Sequence, residues 1–212
     1  MKELRCTLLG VGSSDRAFIP LITWLLHQKL PQMPVRVEWA DLFRLAQPPE
    51  GLAKKILAAV DFYPCDVLFV HRDAEREPRE NRIVEIGNAI RDAELATPFV
   101  CVVPVRMKEA WLLIDEVAIR SAAGNPNGDV RLSLPKLQTI ESTPDPKNEL
   151  YALLRTASEF RGRRLKQFST SASAFRVAEL INDWSPLRKL PAFSACETEL
   201  NLTLEKLPCY SS

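Results

Sequence analysis

The stretch CDVLFVHRDAEREPREN, residues 65–81, joins an apolar run to a dense group of ionisable side chains. Val67-Leu68-Phe69-Val70 is typical of a strand buried on both faces, because apolar residues follow one another without a polar interruption. Six of the seven residues in 71–77 are ionisable, and no turn residue separates them from the strand. The stretch therefore predicts a buried strand that delivers charged groups directly to the edge of a sheet.

Strands and helices alternate on both sides of this stretch. Strands are predicted over 4–9, 35–40, 67–70 and 99–105, and helices over 16–30, 51–62, 80–93 and 108–122. Pro20 is expected to kink the first helix, and Gly124 is expected to end the fourth. This alternation predicts an α/β fold with a mostly parallel sheet flanked by helices.

The pattern changes after Gly124. Residues 125–150, NPNGDVRLSLPKLQTIESTPDPKNEL, are rich in proline and polar residues. Helices are predicted over 146–160 and 173–184, whereas residues 188–212 show little periodicity. We predict two parts: an α/β domain over 1–125, and a helical and irregular extension over 126–212 that packs on it.

Composition favours an ordinary soluble chain of 212 residues, long enough for a sizeable core. The formal net charge is only +1, so contact with nucleic acid requires a local basic patch. No signal peptide or membrane span is predicted. The cysteines are odd in number and lack CxxC spacing, which favours a reducing cytoplasm. They are Cys6, Cys65, Cys101, Cys196 and Cys209.

The first predicted strand ends in GVGSSD, residues 10–15. The third glycine of a dinucleotide-binding GxGxxG motif would fall at Asp15, whose charge opposes a pyrophosphate. A phosphate loop also fails, because no Gly-Lys-Ser/Thr follows. The motif therefore gives little support to nucleotide binding.

The third predicted strand ends in Asp73 and Glu75, separated by one residue. In an extended chain both carboxylates point to the same side. Two such carboxylates repel each other, and a divalent cation commonly offsets that repulsion. The alternative is a solvated loop that leads into a helix whose first turn favours acids.

The fourth predicted strand ends in PVRMKEAWLLID, residues 104–115. Arg106 and Glu109 follow the strand, and Asp115 lies further along the predicted helix. Glu109 alone is also explained as a helix-start acid. Ligands bind outside the carboxyl ends of parallel strands, however, and three such ends here carry acids.

The chain resembles a bacterial family related to the Toprim fold, the nuclease and topoisomerase–primase domain. The resemblance lies in GVGSSDRAFIP, FVHRDAE and PVRMKEAWLLID, and it spans about residues 4–120. Toprim domains carry Glu-Gly after the first strand and Asp-x-Asp after the third. Asp73-x-Glu75 matches the second pair, whereas Val11 stands where the glutamate is expected.

The resemblance implies Mg²⁺-dependent (or Mn²⁺-dependent) cleavage of nucleic acid in bacterial defence. Asp73, Glu75 and Glu109 would hold the metal, and Arg72 and Arg106 would neutralise phosphate charge.

Asp15 would partly compensate for Val11, since valine can neither ligate metal nor act as a base. Family members often accompany ATPases, so the alternative is a non-catalytic partner or regulatory subunit of an ATPase, with a degenerate site.

Basic residues offer phosphate contacts outside these motifs. RGRRLK, residues 161–166, includes Arg163 and Lys166, and Lys147 precedes it. A solvated helix end explains the same residues without function. His71 could orient a phosphate, or it could be only a polar strand terminus. The four tryptophans are expected to pack in the core.

Overall fold

Four parallel strands form one sheet in the computed structural model, which describes residues 3–207 and leaves Cys209 outside. The strands are β1 (Leu4–Leu9), β2 (Val35–Trp39), β3 (Val67–His71) and β4 (Phe99–Val102). Their order is β2-β1-β3-β4, and every neighbouring pair is parallel. The predicted α/β fold with a parallel sheet is confirmed.

Helices cover both faces of this sheet. They are α1 (Ile19–Lys29), α2 (Leu52–Phe62), α3 (Arg79–Asp92), α4 (Glu116–Ala122), α5 (Pro146–Ser158), α6 (Gly162–Gln167), α7 (Thr170–Leu180) and α8 (Pro191–Glu205). Among the residues that the structure describes, no helix is both long and apolar enough to cross a bilayer.

Side chains of β3 alternate between two apolar cores, which explains its unbroken apolar run. Leu68 and Val70 belong to the smaller core, with residues of α2 and α3. Val67 and Phe69 belong to the larger core on the opposite face. Because strand side chains alternate with a period of two, a strand buried on both faces needs apolar residues at every position.

The larger core is continuous across residue 125. It joins side chains of β1, β3, β4 and α1 to side chains of α4, α5, α7 and α8. Trp111 and Trp184 are fully buried in it, and Trp24 and Trp39 pack against it, as expected for core tryptophans. The C-terminal half therefore shares with α1 the covering of one face of the sheet.

Two predicted helices differ from the structure in how they begin. Pro20 does not kink a helix: a 3₁₀ helix spans Ser13–Phe18, and Pro20 lies in the first turn of α1, where its missing N–H has no intrahelical partner to lose. The predicted helix over 108–122 is two helices, a 3₁₀ helix at Lys108–Leu112 and then α4. Asp115 separates them, because its side chain caps α4 by accepting from the Ala118 N–H.

Helix α8 lies where the sequence shows little periodicity, and it covers the outer edge of β4. The Glu199 carboxylate accepts a hydrogen bond from the Cys101 N–H at 3.1 Å. The Thr203 hydroxyl donates to the Phe99 carbonyl at 3.3 Å. From α3, Arg79 donates to the Val103 carbonyl at 3.2 Å. Side chains thus satisfy backbone groups that another strand could otherwise pair with.

We expect Glu199→Leu to lower the free energy of unfolding by about 1–3 kcal/mol, because the buried Cys101 N–H loses its acceptor. Glu199→Gln keeps an acceptor and should cost little, since burial already raises the pKa of Glu199 and so disfavours its charged form. Urea denaturation of both variants measures the difference. Equal stability of the Leu variant and the natural chain would contradict this role of α8.

Candidate active site at the carboxyl edge of the sheet

The backbones of β3 and β4 stay paired beyond the strands and carry the charged residues to one edge. The Arg72 N–H donates to the Val102 carbonyl, and the Ala74 N–H donates to the Pro104 carbonyl, each at 3.2 Å. The Glu75 N–H then donates to the Arg106 carbonyl at 2.8 Å. Both of these last residues have positive φ, 58° for Glu75 and 66° for Arg106, and there the pairing ends.

Asp15 is buried at the end of β1 and organises this edge. One carboxylate oxygen, Oδ2, accepts hydrogen bonds from the N–H groups of Val11 at 2.8 Å and Gly12 at 3.1 Å. The other, Oδ1, accepts from the Lys108 ammonium at 2.9 Å. A Cβ on Gly10 would lie 2.6 Å from Oδ2, so only glycine allows the carboxylate to sit here.

His71 lies fully buried between the acids of two strand ends. Its Nδ1 donates to the Val102 carbonyl at 2.9 Å, which leaves Nε2 directed at carboxylates. Nε2 lies 3.8 Å from Asp15 Oδ1 and 3.5 Å from Asp73 Oδ1. The imidazole packs on the Phe18 ring with centroids 4.7 Å apart. His71 is therefore a fixed part of the site rather than a solvated strand terminus.

Lys108 links the segment that follows β4 to the segments that follow β1 and β3. Its backbone N–H donates to Asp73 Oδ1 at 2.8 Å, while its ammonium binds Asp15 and lies 3.9 Å from Glu109 Oε1. Sequence reasoning missed this residue. The available signal was its position in RMKEA, immediately before Glu109 at a strand end.

The three acids of this network differ in the direction of their pKa shifts. Burial raises the pKa of Glu109 and of Asp73, and the opposing charge of Lys108 compensates only in part. Burial acts on Asp15 in the same direction, but His71 and Lys108 together outweigh it, so the pKa of Asp15 is lowered. Neighbouring cations thus outweigh burial at Asp15, whereas burial outweighs His71 and Lys108 at Asp73 and outweighs Lys108 at Glu109.

A cleft of about 610 Å³ opens over these groups between the β3 and β4 ends. Asp73, Glu75 and Glu109 all line it, together with Arg106 and Lys147. Glu75 is the outlying member: its side chain is 66% exposed, and a carboxylate oxygen lies 3.8 Å from the Arg82 guanidinium. Within residues 3–207, no group of three or more Asp, Glu, His or Cys converges as metal ligands.

Other predicted site residues lie away from this cleft. Arg72 turns toward α3, where its guanidinium lies 2.9 Å from Glu85. Val11 is 49% exposed and lines a separate cavity together with Arg72. Arg163 and Lys166 lie on α6 and are exposed.

Comparisons of the chain with protein-family models, with curated proteins and with solved structures gave no match. The assignment of a function to this edge therefore depends on its own chemistry.

We expect Asp15→Asn and Glu109→Gln to change stability in opposite directions at pH 7. Asp15→Asn should lower the free energy of unfolding by about 2–3 kcal/mol, because it removes the acceptor charge that holds Lys108 and two N–H groups. Glu109→Gln should raise it, because the folded state disfavours the charged form of this carboxyl.

The pH dependence of the free energy of unfolding tests independently whether Glu109 and Asp15 act in opposite directions. A raised pKa in the folded state means that the Glu109 contribution is lost as pH rises from the ordinary value of 4.5 through the folded value. The lowered pKa of Asp15 means that its contribution is lost as pH falls through the folded value. Urea denaturation from about pH 2 to pH 8 measures both, since the Asp15 contribution is lost below its ordinary pKa of 3.8. A destabilised Glu109→Gln variant at pH 7 would contradict this assignment of the charges.

Proposed function

We propose that the 610 Å³ cleft binds Mg²⁺ (or Mn²⁺) and hydrolyses phosphodiester bonds of nucleic acid. The observation that carries the proposal is the incomplete charge balance. The Lys108 ammonium is hydrogen-bonded to Asp15 and lies 3.9 Å from Glu109. Asp73 contacts Lys108 only through the backbone N–H and lies 3.5 Å from His71. A cation at the cleft wall would balance Asp73 and Glu109.

The donor set suits a hard divalent cation. Mg²⁺ is usually held by one or two carboxylates and keeps several waters, so Asp73 and Glu109 suffice without a third acid. Asp73 Oδ1 is held by the Lys108 N–H, which fixes the orientation of that carboxylate. When bound, the ion would supply Lewis-acid charge toward a phosphoryl oxygen.

The remaining lining residues suit a phosphate ester. Arg106 and Lys147 bring positive charge to a cleft whose floor is acidic, so they can hold the phosphates that flank the reacting one. Below the cleft, Lys108 and His71 hold the acids in place through contacts of 2.9 Å and 3.5 Å. The chain's own groups thus bind and orient, as phosphoryl chemistry requires.

A non-catalytic role as partner of an ATPase is the second candidate, and one observation favours it. The Lys108 ammonium already lies among the acids, 2.9 Å from Asp15 and 3.9 Å from Glu109, where it serves as an internal cation. Val11, at the position of the expected glutamate, lines a different cavity from the acids. In this case the acids would have a structural role only, and the partner would be a defence ATPase, as the resemblance to the Toprim-related family implies.

Metal binding separates the two candidates. We expect the full chain to bind Mn²⁺ in calorimetric titration and to cleave DNA or RNA only with Mg²⁺ or Mn²⁺. Asp73→Asn should reduce the cleavage rate about 100-fold, since the metal contributes several kcal/mol. Asp61→Asn, an exposed acid on α2, is the matched control and should change neither. Mn²⁺ binding equally strong in Asp73→Asn, or no binding at all, would favour the partner role.

The exposed helix α6 is expected to hold nucleic acid by its charge. Replacing Arg163 and Lys166 with Ala should weaken binding and flatten its dependence on salt, because fewer counterions are released. Replacing Lys189 and Lys206, two exposed lysines elsewhere, is the charge-matched control. Fluorescence anisotropy over a salt series measures both; an unchanged slope in the α6 variant would leave α6 as a solvated helix.

A further inference from the structure

A second cavity, of about 220 Å³, is lined by His71 and shares no lining residue with the acidic cleft. It opens between the ends of β1 and β3, which are neighbours in the sheet although β2 lies between them in sequence. From β1 the chain crosses over to β2 on one side, and from β3 it crosses over to β4 on the other. Crevices at such reversals of strand order are the usual ligand sites of parallel sheets.

The polar lining of this cavity is mainly basic. Lys55 and Arg72 line it, with Glu85 as the opposing acid. Glu85 is shared by two guanidiniums, since Arg72 and Arg82 each lie 2.9 Å from it. Arg82 also lies 3.8 Å from Glu75 and 4.0 Å from Glu77. Arg72 is therefore the main partner of Glu85 within the lining, and Lys55 is an additional cation there.

In the part of the chain that the structure describes, Lys55 and Arg72 each have a hydrogen-bond donor that is not fully paired. Within residues 3–207, the ion pairs do not include Lys55. The Nε of Arg72 is buried and has no hydrogen-bond partner in the same described part of the chain. A buried guanidinium N–H without a partner is costly, so the pairing with Glu85 leaves Arg72 with unused hydrogen-bonding capacity in the lining of the cavity.

The backbone adds donors of the same kind. Helix α2 has 11 residues and begins at this cavity, with Gly51 as N-cap and Leu52 as its first residue. No side chain caps its first N–H groups within the described chain. Gly51 has φ of 80°, and a Cβ there would meet no atom within 4 Å, so the approach is open.

We propose that this cavity is a phosphate-binding site, distinct from the acidic cleft, for a small molecule that carries a phosphate group. Lys55, Arg72 and the start of α2 supply an ammonium, a guanidinium and backbone N–H groups around one concave space. This combination matches a tetrahedral dianion. The same chemistry serves inorganic phosphate and the phosphate of a nucleoside monophosphate.

Calorimetric titration of the full chain with inorganic phosphate and with AMP, in EDTA, tests the proposal. We expect at least one to bind. AMP binding tighter than phosphate identifies a nucleotide as the ligand, and equal binding identifies phosphate alone. Lys55→Gln should weaken binding about tenfold or more, by loss of a charge-assisted hydrogen bond. Lys54→Gln, the exposed neighbour on α2, should leave binding unchanged.

A second pair of variants does not depend on removing a lining cation. Val11 lines the cavity and is 49% exposed, so Val11→Glu should fold and should repel a phosphate. Val117→Glu, at a position 71% exposed on α4, is the matched control.

The proposal is overturned if neither probe binds, or if each control weakens binding as much as its partner variant. Asp73→Asn should leave phosphate binding intact, so failure of the metal site and failure of this site remain distinguishable.

Discussion

The buried carboxylate of Asp15 holds the carboxyl edge of the sheet together. It binds the β1 end through two backbone N–H groups, and through Lys108 it reaches the chain that follows β4. Lys108 in turn fixes Asp73 after β3. Three strand ends therefore depend on one acid, and Gly10 is required because a side chain there would occupy the space of that acid.

Strand β3 could be predicted because burial on both faces leaves an unbroken apolar run. Helix α8 was not predicted, although its buried residues Ala192, Phe193, Cys196 and Leu200 recur at helical spacing. The polar residues Glu199 and Thr203 face β4 while the apolar Leu202 is exposed, so the apolar and polar faces are poorly separated in sequence. The prediction of Asp73 and Glu109 at one edge followed from the parallel order of strands, and both line one cleft.

The side-chain contacts within the site could not be predicted from local sequence. Nothing near GVGSSD shows that Asp15 meets a lysine far along the chain, since that contact forms only when β1 and the segment after β4 reach the same edge. The turn of Glu75 away from the acids depends on its left-handed backbone, which a prediction of an extended chain excludes. The edge presents acids in the cleft at the β3 and β4 ends and cations in the cavity at the β1 and β3 ends, and His71 lines the latter.

The cover over β4 has a consequence for biosynthesis. Helix α8 is separated from β4 by α4, α5, α6 and α7, so the ribosome completes the strand long before the helix that covers it. At roughly 5–20 residues per second, the nascent chain spends several seconds with the outward groups of Phe99 and Cys101 lacking their α8 partners. During that interval the sheet has an open edge of the kind on which chains associate, and emergence of α8 closes it.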